Sequence, residues 1–202
     1  MLGQLSRRPV ATGVLLYVVM YFIAAQFYPG GTYQNRNAQG FDWVRNFWCN
    51  LLDSTSLNGQ ANTARPLAIA AMALLVCCIT YFWYKFPRYV ACSKTVGRLI
   101  QYCGCAAMLL SGLLLAAVQH DLAINISCFF GAIAICLALY SLYSNKHYFV
   151  LRIGVASIAL MCANIYFYYI NTNLLALAIV QKFAFASFLL WFVFVERLQK
   201  RA

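Results

Sequence analysis

Acidic residues are nearly missing from this chain: Asp and Glu number 4 among 202 residues, against 15 Lys and Arg, and charged residues make up only 9%. A soluble domain carries about 25% charged residues, so a water-facing surface laced with ion pairs is excluded. Histidine is scarcer still, with 2 in the chain. A zinc site needs three or four convergent ligands, and the topology below separates His120 from His147, so no metal site is expected. There is no Cys-x-x-Cys motif, no nucleophile elbow, no convincing internal repeat and no low-complexity segment. Proline numbers 4 and falls between apolar runs rather than within them.

What the chain has is hydrophobic length. Apolar residues make up 64% of it and the mean hydropathy is +0.72. The expected fold class is therefore an all-α integral membrane protein, a single membrane domain over residues 1–202 built as a six-transmembrane-helix bundle. Spans are predicted at 10–28, 66–84, 97–119, 121–143, 149–170 and 173–195. The first resembles a signal peptide, with Arg7 and Arg8 ahead of it, but it is long enough to span and is expected to be retained. Pro29-Gly30-Gly31 ends it, Pro66 opens the second, and Pro87 is placed in the connector that follows.

Basic residues divide unevenly across this topology. Arg7, Arg8, Lys85, Arg88, Lys94, Arg98, Lys146, Arg152, Arg197, Lys200 and Arg201 share one side, Arg36, Arg45 and Arg65 the other, and Lys182 lies within the sixth span. Eleven against three predicts cytoplasmic termini and an outer loop over residues 29–65. The same distribution accounts for the net charge of +11 without nucleic acid, which is not an expected partner; membrane lipid is. Aromatic belts are expected at Tyr81 to Phe86 and at Tyr166 to Tyr169. Of 9 cysteines, all but Cys49 and Cys92 fall in spans, where Cys packs as a small apolar residue, and no disulfide is required.

Within the outer loop, the stretch Phe41 to Asp53 places Val44, Phe47, Trp48, Leu51 and Leu52 at helical spacing. It is predicted as a short interfacial helix with Trp43 and Trp48 at headgroup depth. Polar residues inside spans mark the candidate site. Lys182 lies about nine residues into its span, where insertion costs about 2.5–3.5 kcal/mol, so it is expected to meet a carboxylate (Asp53 or Asp121) or a carbonyl. His120 and Asp121 sit at a turn, where Asp121 suits a helix N-cap and His120 titrates near neutrality. Asn125 follows one turn deeper, and Asn164 and Tyr168 share a face of the fifth span. The expected pocket faces outward. Its catalytic candidates are His120, Asp121 and Asp53, and its ligand-binding candidates are Lys182, Asn125, Asn164, Tyr168, Arg65 and Trp48.

The loop NLLDSTSLNGQANTARP, the segment QHDLAINISCFFG and the stretch VQKFAFASFLLW together resemble the bacterial six-helix membrane proteins of domain-of-unknown-function family 998. That family is similar in turn to the Frag/DRAM/Sfk group. The resemblance implies a bacterial inner membrane and a lipid-like or amphipathic ligand, bound or modified. The family's second histidine, one turn after the first, is replaced here by Ile124, which argues against metal. A fainter likeness to ceramidase-like membrane hydrolases lacks their several histidines. No residue pattern selects a reaction or a cofactor. The readings carried alongside are a non-enzymatic protein whose polar groups only stabilise the bundle, and a small-solute or ion transporter.

Overall fold

The computed structural model describes residues 8–113, 120–170 and 173–199, of which the side chains of 113 and 120–125 fall outside the description. Six α-helices follow one another: α1 (Pro9–Gln26), α2 (Arg65–Tyr89), α3 (Lys94–Leu113), α4 (His120–Ser144), α5 (Tyr148–Ile170) and α6 (Leu174–Glu196). Among the described residues there is no strand, only two isolated bridges, Gly30 with Gln39 and Thr55 with Ala61. Among the described residues five helical segments are long and apolar enough to cross a membrane: α1, α2, Ile126–Ser144 of α4, α5 and α6. Described only to Leu113, α3 is not among them; Lys94, Arg98 and Gln101 crowd its first two turns.

The chain divides into two compact units, Met1–Leu15 with Ala73–Val155 and Leu190–Ala202, and Leu16–Met72 with Ala156–Leu189. In the first, Phe82 and Trp83 of α2 are buried against Trp191 and Phe192 of α6, with Phe82 and Phe192 edge to face at 4.8 Å, and Phe86 is buried beside Phe82 and Trp83. The aromatic belt expected at Tyr81 to Phe86 is thus split by helical periodicity. Tyr81 and Tyr84 are exposed, as a belt requires, while the three residues between and after them form core. A side chain at Gly104 would collide with the Trp83 ring, so this glycine lets α3 approach α2. Ser127 of α4 donates to the carbonyl of Ala107 (2.8 Å) and meets Ser111 (2.6 Å), which joins α3 to α4 by hydroxyls. Pro87 lies inside α2 rather than in a connector. It stands in the last turn, where the missing N–H breaks one helical bond and little continues beyond it.

The second unit holds the loop between α1 and α2. Gly30 (φ 137°) and Gly31 (φ 90°) turn the chain at its start, and a side chain on either would strike neighbouring backbone. The interfacial α-helix predicted over Phe41 to Asp53 is replaced by a turn and a four-residue 3-10 helix, Trp48–Leu51. Side chains have taken the backbone's hydrogen bonds. Asp42 Oδ1 accepts from Val44 N–H and Arg45 N–H, Asn46 Oδ1 from Asp42 N–H, and Asn50 Oδ1 from Phe47 N–H. Asp and Asn compete with helical backbone in this way, and apolar spacing alone does not register it. Buried Asn62 closes the loop: its Nδ2 donates to the carbonyls of Asn50, Leu51 and Asp53, and its Oδ1 accepts from Ala64 N–H ahead of α2.

Glu196 gives α1 its start. Arg8 stands at the N-cap with no short side-chain acceptor, as the Thr12 N–H bond to its carbonyl indicates. The Glu196 carboxylate, from the other end of the chain, accepts instead from Val10 N–H and Ala11 N–H, both at 2.8 Å. It is buried, and it satisfies two free donors while opposing the helix dipole. Glu196→Ala is expected to cost about 2–4 kcal/mol, since two buried donors lose their acceptor. Glu196→Gln, which keeps one oxygen, should cost about half of that. Thermal unfolding in detergent measures both, and an unchanged melting point for Glu196→Ala contradicts the capping role.

Candidate functional site

Trp48 decides where the loop lies in the second unit. Its backbone N–H donates to Gln181 Oε1 of α6 (2.9 Å), its indole Nε1–H to the Tyr17 hydroxyl of α1 (2.6 Å), and its carbonyl accepts from Tyr21 OH (2.8 Å). The Tyr21 ring stacks on the indole at 4.8 Å. Beside it Trp43 stacks on Phe22 at 4.6 Å, and Phe47 packs on Leu177 and Ala178 of α6 with Phe167 of α5. One loop aromatic therefore holds two helices through three hydrogen bonds.

Between Trp43, Val44 and Trp48 of the loop, Val18 and Phe22 of α1, and residues 179–189 of α6 there is a cavity of about 560 Å³. Its wall is apolar and aromatic except for Lys182. Phe22, Trp43, Val44 and Phe183 line it and are themselves exposed, Phe183 by 64%, so its rim is apolar as well. A volume of this size lies within the about 300–1,000 Å³ typical of small-molecule sites. An apolar rim suits entry from hydrocarbon rather than from water.

Lys182 meets carbonyls, not a carboxylate. Its Nζ donates to the carbonyl of Asn46 in the loop and to that of Ala178 one turn back (2.9 Å). Among the described residues the ion pair is Arg45 with Asp42, and no carboxylate comes within ion-pair distance of Lys182. An ammonium has three donors, so one remains for a group in the cavity.

Of the other candidates, the four with described side chains, Asp53, Arg65, Asn164 and Tyr168, do not line this cavity. Asp53 accepts from Asn50 Nδ2 (3.3 Å) and Arg65 Nε donates to the carbonyl of Leu52 (3.1 Å), so both serve the loop's own structure. Asn164 is half-buried, with its Oδ1 lacking a hydrogen-bond partner among the described residues, while Tyr168 one turn on is 62% exposed. The side chains of His120, Asp121 and Asn125 lie outside the described residues. Among the described residues, Trp48 and Lys182 are the two expected ligand-binding residues that share the cavity. Among the described residues no three His, Cys, Asp or Glu side chains converge as metal ligands do. Tyr17, Tyr21 and Asn46 were not singled out from the sequence, although two tyrosines four residues apart within a span present polar tips on one face.

The chain matches no protein-family model, no curated protein and no solved structure.

Burial alone would raise the Asp42 carboxyl, yet the N–H groups of Arg45 and Val44 and the Arg45 guanidinium hold it below the usual carboxylate range. A folded-state value below the unfolded one stabilises above the unfolded value and is lost as pH falls through the folded value. Hydrogen-exchange protection of residues 42–46 should therefore persist from pH 7 to 5 and fall away only below about pH 4. Loss of protection between pH 7 and 5 would assign the order of this segment to another group.

Proposed function

We propose that the chain is a multi-pass membrane protein, crossing the bilayer six times with both termini cytoplasmic, that binds or modifies a lipid-like amphipathic ligand through the cavity under the Trp43–Trp48 segment. The observation that carries the reading is a single ammonium, Lys182, in the wall of an otherwise apolar cavity with an apolar rim. For a ligand arriving from the bilayer, burying an acyl chain contributes little, because lipid tails are as apolar as the cavity. Discrimination then falls to the polar end, and the third Lys182 donor suits an anionic or strongly accepting headgroup.

Support for six spans comes from α3, whose 20 described residues reach about 30 Å at 1.5 Å per residue, near the thickness of a hydrocarbon core. The eleven-to-three division of basic residues supports the orientation and puts the loop outside. A bacterial inner membrane follows from the family resemblance, as does the lipid-like nature of the ligand. A second reading rests on the same lysine: its bond to the Asn46 carbonyl ties the loop to α6, a structural role in a protein without catalysis.

Wild type and Lys182→Met, purified from the same membranes, separate the two readings by the lipids they retain. Lys182→Met is expected to lose one lipid class selectively, by about tenfold, as for a lost charge-assisted hydrogen bond of about 1.5 kcal/mol or more. Lys182→Arg should keep it in part. Equal retention of the same lipids alongside a lowered melting point would leave the lysine only its structural role.

A further inference from the structure

A second cavity, in the unit that contains Ala73–Val155, lies where the end of α2 meets the start of α3, with a volume of about 350 Å³. Its wall carries Lys85 and Arg88 of α2 and Lys94 and Arg98 of α3, together with Ser93 and Gln101. Among the described residues no acidic one lines it. The four in the chain are Asp42, Asp53, Asp121 and Glu196, and none lies within residues 84–101. Among the described residues these four cations form no ion pair. Four like charges thus face one concave site with no acidic side chain in its wall among the described residues.

The arrangement is built rather than incidental. The Lys85 ammonium lies over the Tyr84 ring at 4.8 Å and the Tyr81 ring at 5.6 Å, which fixes a flexible stem near the cavity. Gln101 Nε2 donates to the carbonyl of Tyr84 (2.6 Å) and closes α3 onto α2 along the wall. Ser93 Oγ accepts from Val96 N–H (3.3 Å) and its carbonyl from Gly97 N–H (2.9 Å), so α3 starts in the wall itself. The positive end of the α3 dipole adds to the four side chains. Orientation by positive charge requires basic residues near a span's end; it does not require them to surround a cavity free of counter-charge.

We infer that this cavity is a binding site for a phosphate-bearing anion. The two guanidiniums offer planar donor pairs matched to phosphate oxygens, and the two ammoniums supply compact charge. The ligand's source is either the headgroup of an anionic phospholipid or a free phosphate ester. Since α2 is long and apolar enough to cross a membrane and the cavity lies at its end, headgroups are the phosphates at hand. A volume of about 350 Å³ holds a headgroup and leaves the acyl chains outside. The inference is independent of any role for Lys182.

The test is native mass spectrometry of the full chain, exchanged into equal amounts of phosphatidylglycerol and phosphatidylcholine, with and without glycerol 3-phosphate. Wild type should retain phosphatidylglycerol over phosphatidylcholine. Arg88→Gln with Arg98→Gln should weaken that retention about 25-fold, at about fivefold per basic side chain removed. Lys146→Gln with Arg152→Gln makes the same charge change outside the cavity and should stay within about twofold of wild type. Displacement of the lipid by glycerol 3-phosphate at matched concentration assigns the site to a free ester; persistence of the lipid assigns it to the headgroup. Equal weakening in the two double variants reduces the effect to general surface attraction and overturns the site, as does binding of neither phosphate form. If the arginine pair cannot be recovered folded, Lys85→Gln with Lys94→Gln carries the same expectation, and unchanged retention there overturns it.

Discussion

The bond from the Lys182 ammonium to the carbonyl of Asn46 is, with the three hydrogen bonds of Trp48, a contact that orders the loop. A lysine well inside an apolar helix is costly unless its donors are satisfied. Here one donor returns to the Ala178 carbonyl of its own helix and another leaves the helix for the loop. Asn46 is then engaged at every polar atom that matters. Its carbonyl takes the ammonium, its Oδ1 takes Asp42 N–H, and its Nδ2 gives to the carbonyl of Gly31 (2.8 Å). A single fully buried asparagine therefore connects α6 to both the Gly30–Gly31 turn and the Asp42 turn. Together with the bonds of Trp48 to Gln181, Tyr17 and Tyr21 and the stacking of Trp43 on Phe22, this fixes the cavity wall formed by Trp43, Val44 and Trp48.

Neutral amides do in this chain what ion pairs do in charge-rich proteins. With 4 carboxylates in 202 residues, few buried backbone groups can find a charged partner. Asn62 serves three carbonyls, Asn50 one N–H and one carboxylate, and Asn145 the carbonyls of Ala91 and Ser141. Each bond contributes about 0.5–1.5 kcal/mol net, but the cost of leaving a buried carbonyl unpaired is larger, so the amides act chiefly by avoiding that penalty. Glu196 and Asp42 are exceptions, carboxylates that each accept from two backbone N–H groups. Amides carry no charge and so bring no desolvation penalty of the ionic kind.

Helix existence was legible in the sequence because runs of twenty apolar residues admit few other structures. The expected spans and the observed helices coincide to within a few residues at most ends. The loop was not legible, because apolar residues at helical spacing look the same whether Asp42, Asn46 and Asn50 cap turns or ride on a helix. The aromatic run on α2 was half legible: belt and core residues alternate within one helical turn, and composition cannot separate Tyr84 from Phe86. For the candidate site, the unusual position of Lys182 pointed to a real polar contact, but its choice of a carbonyl depends on where a loop 136 residues away comes to rest. Arg65 and Asp53 entered the candidate set through the outer side to which the topology assigns them; in the structure Asp53 accepts from Asn50 and Arg65 donates to the carbonyl of Leu52. Glu196 near the end of the chain reads as a solvated charge until the start of α1 is placed beside it.

The two cavities differ in the way a chain with so little acid would lead one to expect. Where a cation is alone and has to lie among apolar groups, backbone carbonyls take most of its donors, and what remains is directional: one N–H, suited to recognising an acceptor at a fixed point. Where cations accumulate at a helix end, no comparable set of carbonyls is free, since helical carbonyls are already bonded and only those of the last turn are open. Their field then draws an anion toward the cavity, and the two guanidiniums add planar donor pairs once it arrives. On the readings proposed, a ligand of the first cavity is selected by the position of its polar atom against an apolar body, and a ligand of the second by charge together with phosphate oxygens that match those pairs. Salt separates these modes physically: screening weakens attraction between exposed charges, while a partly buried hydrogen bond is far less affected.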